Sequence, residues 1–439
     1  MKMTPISPAK VTDRPSTVIP PAETPGKRPI LLCHAYYQQR GGEDESFDAE
    51  CRLLKDRGHE FETLTFDNSA DAEASRLRQT LSGFWNQTTY RKVRDVLRRT
   101  GASVIHCTNL FPFASPAVYW AARREGVAVV QSLRNYRLSC VNSYLMRDGR
   151  VCDCCLGRKI AWPGILHGCY RGSHLASAAV AFQFALHRGI GTWRNRVDWY
   201  FAPTKFARDT LVKAGVPAER FSVKPNFIDP DPGPGDGSGG YALFVGRLSA
   251  EKGLSVMLSA WRKNPAAPEL RIVGDGPQAG LLDQHAARDP RIRRLGRLPN
   301  CEVIEQLKHA RFLIMPSVWH ETFGRTIMEA FATGTPTVAS RLGAMAELVE
   351  DQHNGILFSP GQDDALVRAV RQLSEAPAER YFAMRTAARE SFLANYTASR
   401  NYDLLMDIYA RAWEASRRHA PRRANRFAPS QNNGERLRQ

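Results

Sequence analysis

The segment from His320 to Pro336 reads His-Glu-Thr-Phe-Gly-Arg-Thr-Ile-Met-Glu-Ala-Phe-Ala-Thr-Gly-Thr-Pro and holds two carboxylates, Glu321 and Glu329, eight positions apart. A carboxylate accepts hydrogen bonds from a pair of hydroxyls, which suits a ribose or a hexose. A helix starting near Gly324 leaves Glu321 on the preceding loop and carries Glu329 one to two turns in. Between them the unpaired N–H groups of a helix start, around Phe323, Gly324, Arg325 and Thr326, favour an anion such as a phosphate. Gly334 supplies the left-handed residue that ends such a helix. An exposed helix with incidental acids would explain two glutamates alone; it does not explain the Phe-Gly, Glu-Ala and Thr-Gly-Thr-Pro around them.

A second cluster runs from Phe244 to Gly253, Phe-Val-Gly-Arg-Leu-Ser-Ala-Glu-Lys-Gly. It follows an apolar strand and opens a helix, so Gly246, Arg247 and Lys252 fall at the carboxyl edge of a sheet, where open α/β sheets bind ligands. Two cations at a diphosphate would offset the charge that builds on a departing nucleotide. Gly274 and Gly276, in Ile272-Val-Gly-Asp-Gly-Pro277, form a strand-to-loop turn close by. In the first half, Gly41 and Gly42 follow the first predicted strand and let backbone come close to a ligand.

Cys140, Cys152, Cys155 and Cys169 flank a loop holding Asp148-Gly149, with Cys-x2-Cys at its centre and Cys154 as an extra thiol. Three fates are open: a tetrahedral structural zinc site, free or redox-active thiols, or a disulfide.

Elements that would position these groups alternate along both halves. Strand, glycine loop, helix and strand follow one another from Pro29 to Phe66, the sign of a parallel sheet. A long helix is predicted from Arg76 to Arg99 and an irregular insert over 135–172. The run 229–240 is almost wholly Asp, Pro, Gly and Ser and reads as a linker without ordered elements. The alternation restarts at Tyr241. The expected organisation is a disordered leader (1–28), a first Rossmann-like domain (29–228), the linker (229–240), a second Rossmann-like domain (241–395), a helix crossing back (396–415) and a disordered basic tail (416–439).

The chain has 439 residues, long enough for two cores, and a formal charge of +17. Much of that charge sits in the tail, from Arg417 to Arg438. An anionic membrane surface is one expected partner; a solvated tail is the plain reading. No nucleic-acid module is recognisable, so nucleic acid is not expected. No uncharged apolar run reaches the roughly 18 residues of a membrane span, and the start lacks a secretory pattern. A cytoplasmic protein, peripheral at the inner membrane face, is expected, and nine cysteines fit a reducing compartment.

These motifs resemble those of glycosyltransferase family 4, retaining enzymes of the GT-B fold, and the resemblance runs from about Ile30 to Tyr409. It implies an α/β fold of two facing Rossmann-like domains around a cleft, the first (29–228) on the acceptor side and the second (241–395) binding a UDP- or GDP-sugar as donor. By resemblance Glu321 contacts the donor sugar, Glu329 the ribose hydroxyls, Arg247 and Lys252 the diphosphate without a catalytic cofactor, and Gly41-Gly42 face the diphosphate and acceptor. Lys224-Pro-Asn-Phe-Ile-Asp229 and Gly343-Ala-Met-Ala-Glu347 are similar to further family segments, the latter with Ala for a second Gly. Many relatives have histidine where Arg134 stands, in Gln131-Ser-Leu-Arg-Asn-Tyr136; arginine cannot act as a base, but can stabilise charge or bind an anionic acceptor. His106, in His106-Cys-Thr-Asn109, is a site candidate or a core histidine. A bacterial subgroup has a similar cysteine insert, which borders the acceptor side. The implied reaction moves a hexose to a glycan or lipid-linked acceptor, in polysaccharide or lipopolysaccharide assembly. A GT-B nucleotide-sugar epimerase and a non-catalytic polyanion-binding scaffold are the alternatives, and a donor-hydrolysis assay separates the scaffold from the transferase.

Overall fold

The computed structural model describes residues 28–38, 41–67, 82–111 and 114–419. The leader up to 27, the tail past 419 and the front of the helix predicted from Arg76 lie outside these residues.

The first half runs β1 (Ile30–Tyr36), α1 (Gly42–Asp56), β2 (Phe61–Asp67), α2 (Gln87–Thr100), β3 (Val104–Cys107), α3 (Ala117–Glu125) and β4 (Ala128–Ser132). An insert follows: a hairpin of β5 (Met146–Arg147) and β6 (Arg150–Val151), then α4 (Trp162–Leu166), α5 (His174–Gly189) and α6 (Thr192–Asn195). β7 (Trp199–Ala202), α7 (Lys205–Lys213) and β8 (Phe221–Val223) complete it. The second half runs β9 (Ala242–Val245), α8 (Leu254–Lys263), β10 (Leu270–Val273), α9 (Ala279–Ala286), β11 (Ile292–Gly296), α10 (Asn300–His309) and β12 (Phe312–Met315). It ends in α11 (Arg325–Ala332), β13 (Thr337–Ser340), α12 (Met345–Leu348), β14 (Gly355–Phe358), α13 (Asp363–Ser374), α14 (Ala378–Asn395) and α15 (Ala398–His419).

Each half holds one parallel six-stranded sheet, ordered β2-β1-β3-β4-β7-β8 and β11-β10-β9-β12-β13-β14. Helices cover both faces, so β3, β4, β12 and β13 are buried along their whole length and read as apolar runs rather than alternating ones. Strand order reverses between β1 and β3 in the first sheet and between β9 and β12 in the second. Loops leaving the carboxyl ends of strands at such reversals are where α/β sheets hold ligands. The motifs around Arg247 and Glu321 follow β9 and β12, the two strands of the second reversal.

The stretch 229–240 has no helix or strand, yet it is not a free coil. Gly235, Gly237 and Gly239 donate N–H bonds to Thr333, Lys308 and His309 carbonyls at 2.9 Å each, and Asp231 pairs with Arg389. A Cβ on Gly235 would fall 2.2 Å from the Lys308 oxygen, so glycine is what lets the strap lie this close. The composition of this run excludes regular elements but leaves room for a fixed path.

α15 returns to the first half, where Leu405, Ile408, Tyr409 and Ala412 pack on Ile30, Leu32, Val104 and Val130. Its start touches the strap's origin. Ile228 bridges Thr397 and donates its N–H to Tyr396 O at 3.2 Å, and Asn401 donates to Pro225 O at 2.6 Å. The two passages of chain between the halves therefore run side by side.

Candidate active site between the two sheets

Glu321 lies on the loop after β12 and is only 6% exposed. Its Oε1 accepts from Lys252 Nζ at 2.6 Å and from Ser317 Oγ at 2.8 Å. Lys252 reaches it from the short turn after β9, and its ammonium also lies 5.5 Å from the Trp319 ring centre. Two loops are thereby locked together at the strand reversal. Gly253 (φ +75°) sits where a Cβ would come 1.9 Å from Pro316 O, which fixes how closely the Lys252 turn lies against the Glu321 loop. Likewise Gly274 abuts Gly246, where a Cβ would lie 1.9 Å from Gly246 O; Gly276 is packed in the same way on Leu248. Arg247 is exposed, with no ion-pair partner among the described residues.

Gly324 (φ +92°) starts α11, Phe323 is buried against Tyr396, and Arg325 and Thr326 form the first turn. Glu329 is 6% exposed one turn in. Burial pushes its carboxyl above the ordinary range, against the pull of Arg325. Arg325 bridges the halves, reaching Glu329 Oε1 and Glu45 Oε2 at 3.3 Å each. Three further contacts tie the halves together. Tyr136 OH donates to Glu321 O at 3.3 Å, Thr204 Oγ1 donates to Thr322 O at 3.0 Å, and both Glu347 oxygens cap α7 by accepting from Lys205 and Phe206 N–H at 2.8 Å. Glu321, Glu329, Arg247 and Lys252 thus belong to loops and a helix start that meet at one strand reversal.

First-half residues are distributed differently. Gly41 is the N-cap of α1 and Gly42 its first residue; a Cβ on either meets nothing within 4 Å, so there is room for a ligand. The first turn also carries Glu43, Asp44 and Glu45, which offset the positive end of the helix dipole. This helix start offers space rather than positive charge. Arg134 is 9% exposed and donates to Glu50 Oε1 at 2.8 Å and to Asn226. Glu50 also takes Lys224 Nζ at 2.5 Å. Burial would raise the Glu50 carboxyl, but Lys224, then Arg134, hold it down at about 2. His106 is 1% exposed, with Nδ1 at 3.0 Å from Tyr409 OH and Nε2 at 3.8 Å from Glu50. Burial lowers its pKa to about 4. Of the two readings of His106, these contacts support the core histidine, neutral and bound to α15.

Against known proteins, the profile described as Glycosyltransferase Family 4 matches residues 41–232, and that described as Glycosyl transferases group 1 matches 239–376, together well over half the chain. The chain belongs to glycosyltransferase family 4. Glycogen synthase of Mycobacterium tuberculosis is 32% identical over 188 residues, 41% of this chain and 44% of that protein. Phosphatidyl-myo-inositol mannosyltransferase of Mycobacterium leprae is 34% identical over 154 residues, 33% of this chain and 40% of that one. The chain thus spans less than half the length of the curated relatives it matches. Anabaena HepE, solved with UDP, aligns at a TM-score of 0.61 with 18% identity, over 87% of this chain and 99% of HepE, a likeness of fold. The architecture is GT-B.

In this family-4 chain a cavity of about 570 Å³, open to solvent, lies away from the Lys252–Glu321 pair. It lies in the first half at the ends of β3 and β4, lined among others by Glu43, Asn109, Gln131, Arg134, Arg137 and Phe184. Glu50, Lys224 and Asn226, which fix Arg134 behind it, had no sequence signal beyond the Lys-Pro-Asn motif. Ser317 and Glu45 had none. Burial raises the Cys155 and Cys169 thiols, with a smaller push from the neighbouring Cys140 and Cys152, and none of the four is in a disulfide. Among the described residues no three His, Cys, Asp or Glu side chains are placed to hold a metal ion.

Proposed function

We propose that this chain transfers a hexose from a nucleoside-diphosphate sugar to a glycan or lipid-linked acceptor, with retention at the anomeric carbon. The observation that carries the reading is the buried Glu321 held by Lys252 at a strand reversal, with exposed Arg247 on the same loop as Lys252. Arg247 and Lys252 would bind the diphosphate and stabilise the charge that grows on its β-phosphate as the bond to C1 breaks. Two cations there supply the positive charge a metal ion would otherwise give. Glu321 would orient the sugar hydroxyls and Glu329 the ribose. The acceptor hydroxyl would attack C1 from the face the diphosphate leaves, its proton passing to the departing phosphate oxygen. No base is then needed from Arg134, which is committed to Glu50 and Asn226.

HepE has been solved with UDP and with UDP-glucose, which supports a uridine donor as the first to test. No helix among the described residues is long and apolar enough to cross a membrane. Acceptors presented at a membrane surface are in keeping with the basic chain, and polysaccharide or lipopolysaccharide assembly is the setting proposed. A thermal-shift screen of nucleoside diphosphates and their sugars tests the donor site. At about 100-fold excess over the dissociation constant the ligand adds about 2.7 kcal/mol of stability. Arg247→Ala with Lys252→Ala should abolish that shift; a shift that survives the double substitution rejects the site. Anomeric coupling constants of the product test retention.

A further inference from the structure

Nine of the twelve large apolar side chains exposed among the described residues fall between Tyr144 and Ile190. On α5, Leu175 (82% exposed), Phe182 (52%) and Leu186 (49%) lie on one side, and Ile190 (49%) continues the row past its end. The opposite side of the helix is buried through Ser177, Val180, Ala181, Gln183 and His187. α4 packs on α5 and adds Trp162 and Leu166. A contiguous apolar patch of this kind marks a surface that docks on something.

Charge identifies what. Between Asp153 and Asp198 there is no acidic residue at all, while Arg158, Lys159 and Arg171 are exposed on the loops beside the apolar row. The Arg158 guanidinium lies 5.1 Å from the Trp162 ring centre, a cation and an aromatic side by side. A protein interface usually has a rim of mixed charge; an apolar row whose own stretch of chain, 154–197, carries cations and no acid, beside an exposed tryptophan, fits the headgroup boundary of an anionic bilayer. We infer that the α4–α5 face of the insert docks on an anionic lipid surface, with its apolar row in the acyl boundary and Arg158, Lys159 and Arg171 on the phosphates. In the sequence this stretch is distinct from the basic tail. Gln183 and Phe184, which α5 turns inward, line the large first-half cavity, so docking would bring that cavity to the headgroup level. That last consequence rests on the transferase reading; the docking does not.

The test is sedimentation of the full chain with vesicles of phosphatidylcholine, with and without phosphatidylglycerol. Binding is expected only with phosphatidylglycerol. Leu175→Gln with Phe182→Gln should lower the partition coefficient more than about tenfold, since each apolar side chain is lost from the acyl boundary. Lys159→Gln with Arg171→Gln should lower it about fivefold per charge, an effect that salt erases. These side chains are exposed, so the variants should keep the parent melting temperature and nucleoside-diphosphate shift. Three results would overturn the proposal: no binding to anionic vesicles, binding unchanged by both pairs but lost when Arg422 and Arg423 are made glutamine, or a concentration-dependent dimer that Leu175→Gln with Phe182→Gln dissolves. Failure of donor binding with vesicle binding intact would count against the transferase reading alone.

Discussion

Lys252 and Glu321 neutralise each other at 2.6 Å, and each holds the other where a donor would need it. Removing the carboxylate's charge while keeping its shape separates binding from chemistry. Glu321→Gln should leave nucleoside-diphosphate affinity within a few-fold and cut turnover by roughly a hundredfold, the scale of losing one preorganised polar contact to a transition state. Initial rates of nucleoside-diphosphate release, beside calorimetry, give both numbers. At the other residue cluster, protonation is a stability statement. His106 sits at about 4, below the usual histidine value, so the unfolded chain takes up its proton first and stability falls as pH drops from about 6.5 toward 4. Glu50, held at about 2, contributes stability above its ordinary carboxylate pKa and loses it as pH falls from about 4.5 toward 2. That second loss is of the order of 3 kcal/mol. Denaturation midpoints followed from pH 7 to 3 should therefore fall in two stages, and His106→Gln should shrink the first, to which His59, His187 and His320, also lowered by burial, contribute. The groups proposed for the donor stood out in the sequence because each motif keeps its chemistry within a few residues of a strand end. The Glu50 cluster was not, because its members come from α1, the loops after β4 and β8, and α15, and nothing local marks Glu50 as buried.

At the scale of elements, the strap and the helix caps set positions that composition alone does not. Asp, Pro, Gly and Ser between 229 and 240 ruled out helix and strand correctly, but the path along Lys308, His309 and Thr333 is visible only once those carbonyls are in place. Gly235→Ala should cost about 1–3 kcal/mol, because the new Cβ meets the Lys308 backbone rather than a movable side chain. Gly280→Ala, in the exposed part of α9 with no atom within 4 Å of the new carbon, should instead add about 0.5–1 kcal/mol. Opposite signs in urea titrations of the two variants would support the strap; equal losses would not. The cap that Glu347 provides to α7 from the other half is a third case. Glu347→Gln weakens it by about 1 kcal/mol, so the Lys205 and Phe206 amides should exchange about fivefold faster by NMR.

On the scale of the molecule, alternation on both sides of 229–240 was enough to expect two facing sheets, and the fold is GT-B. The relative placement of the halves came from contacts no motif encodes, such as Thr204 with Thr322 and Arg325 with Glu45. These contacts lie beside Glu321 and Glu329 and latch the halves together there. Thr204→Val with Glu347→Gln should enlarge the radius of gyration in small-angle scattering, and nucleoside diphosphate should restore the parent value. The chain passes from one half to the other twice, and Ile228 and Thr397 bring those passages into register. Two adjacent covalent crossings leave little freedom to slide or to twist apart. What remains is a swing about the line joining them, like a door on a pair of pins, so releasing the latches opens the gap along a single arc and returning along it re-forms every contact at once.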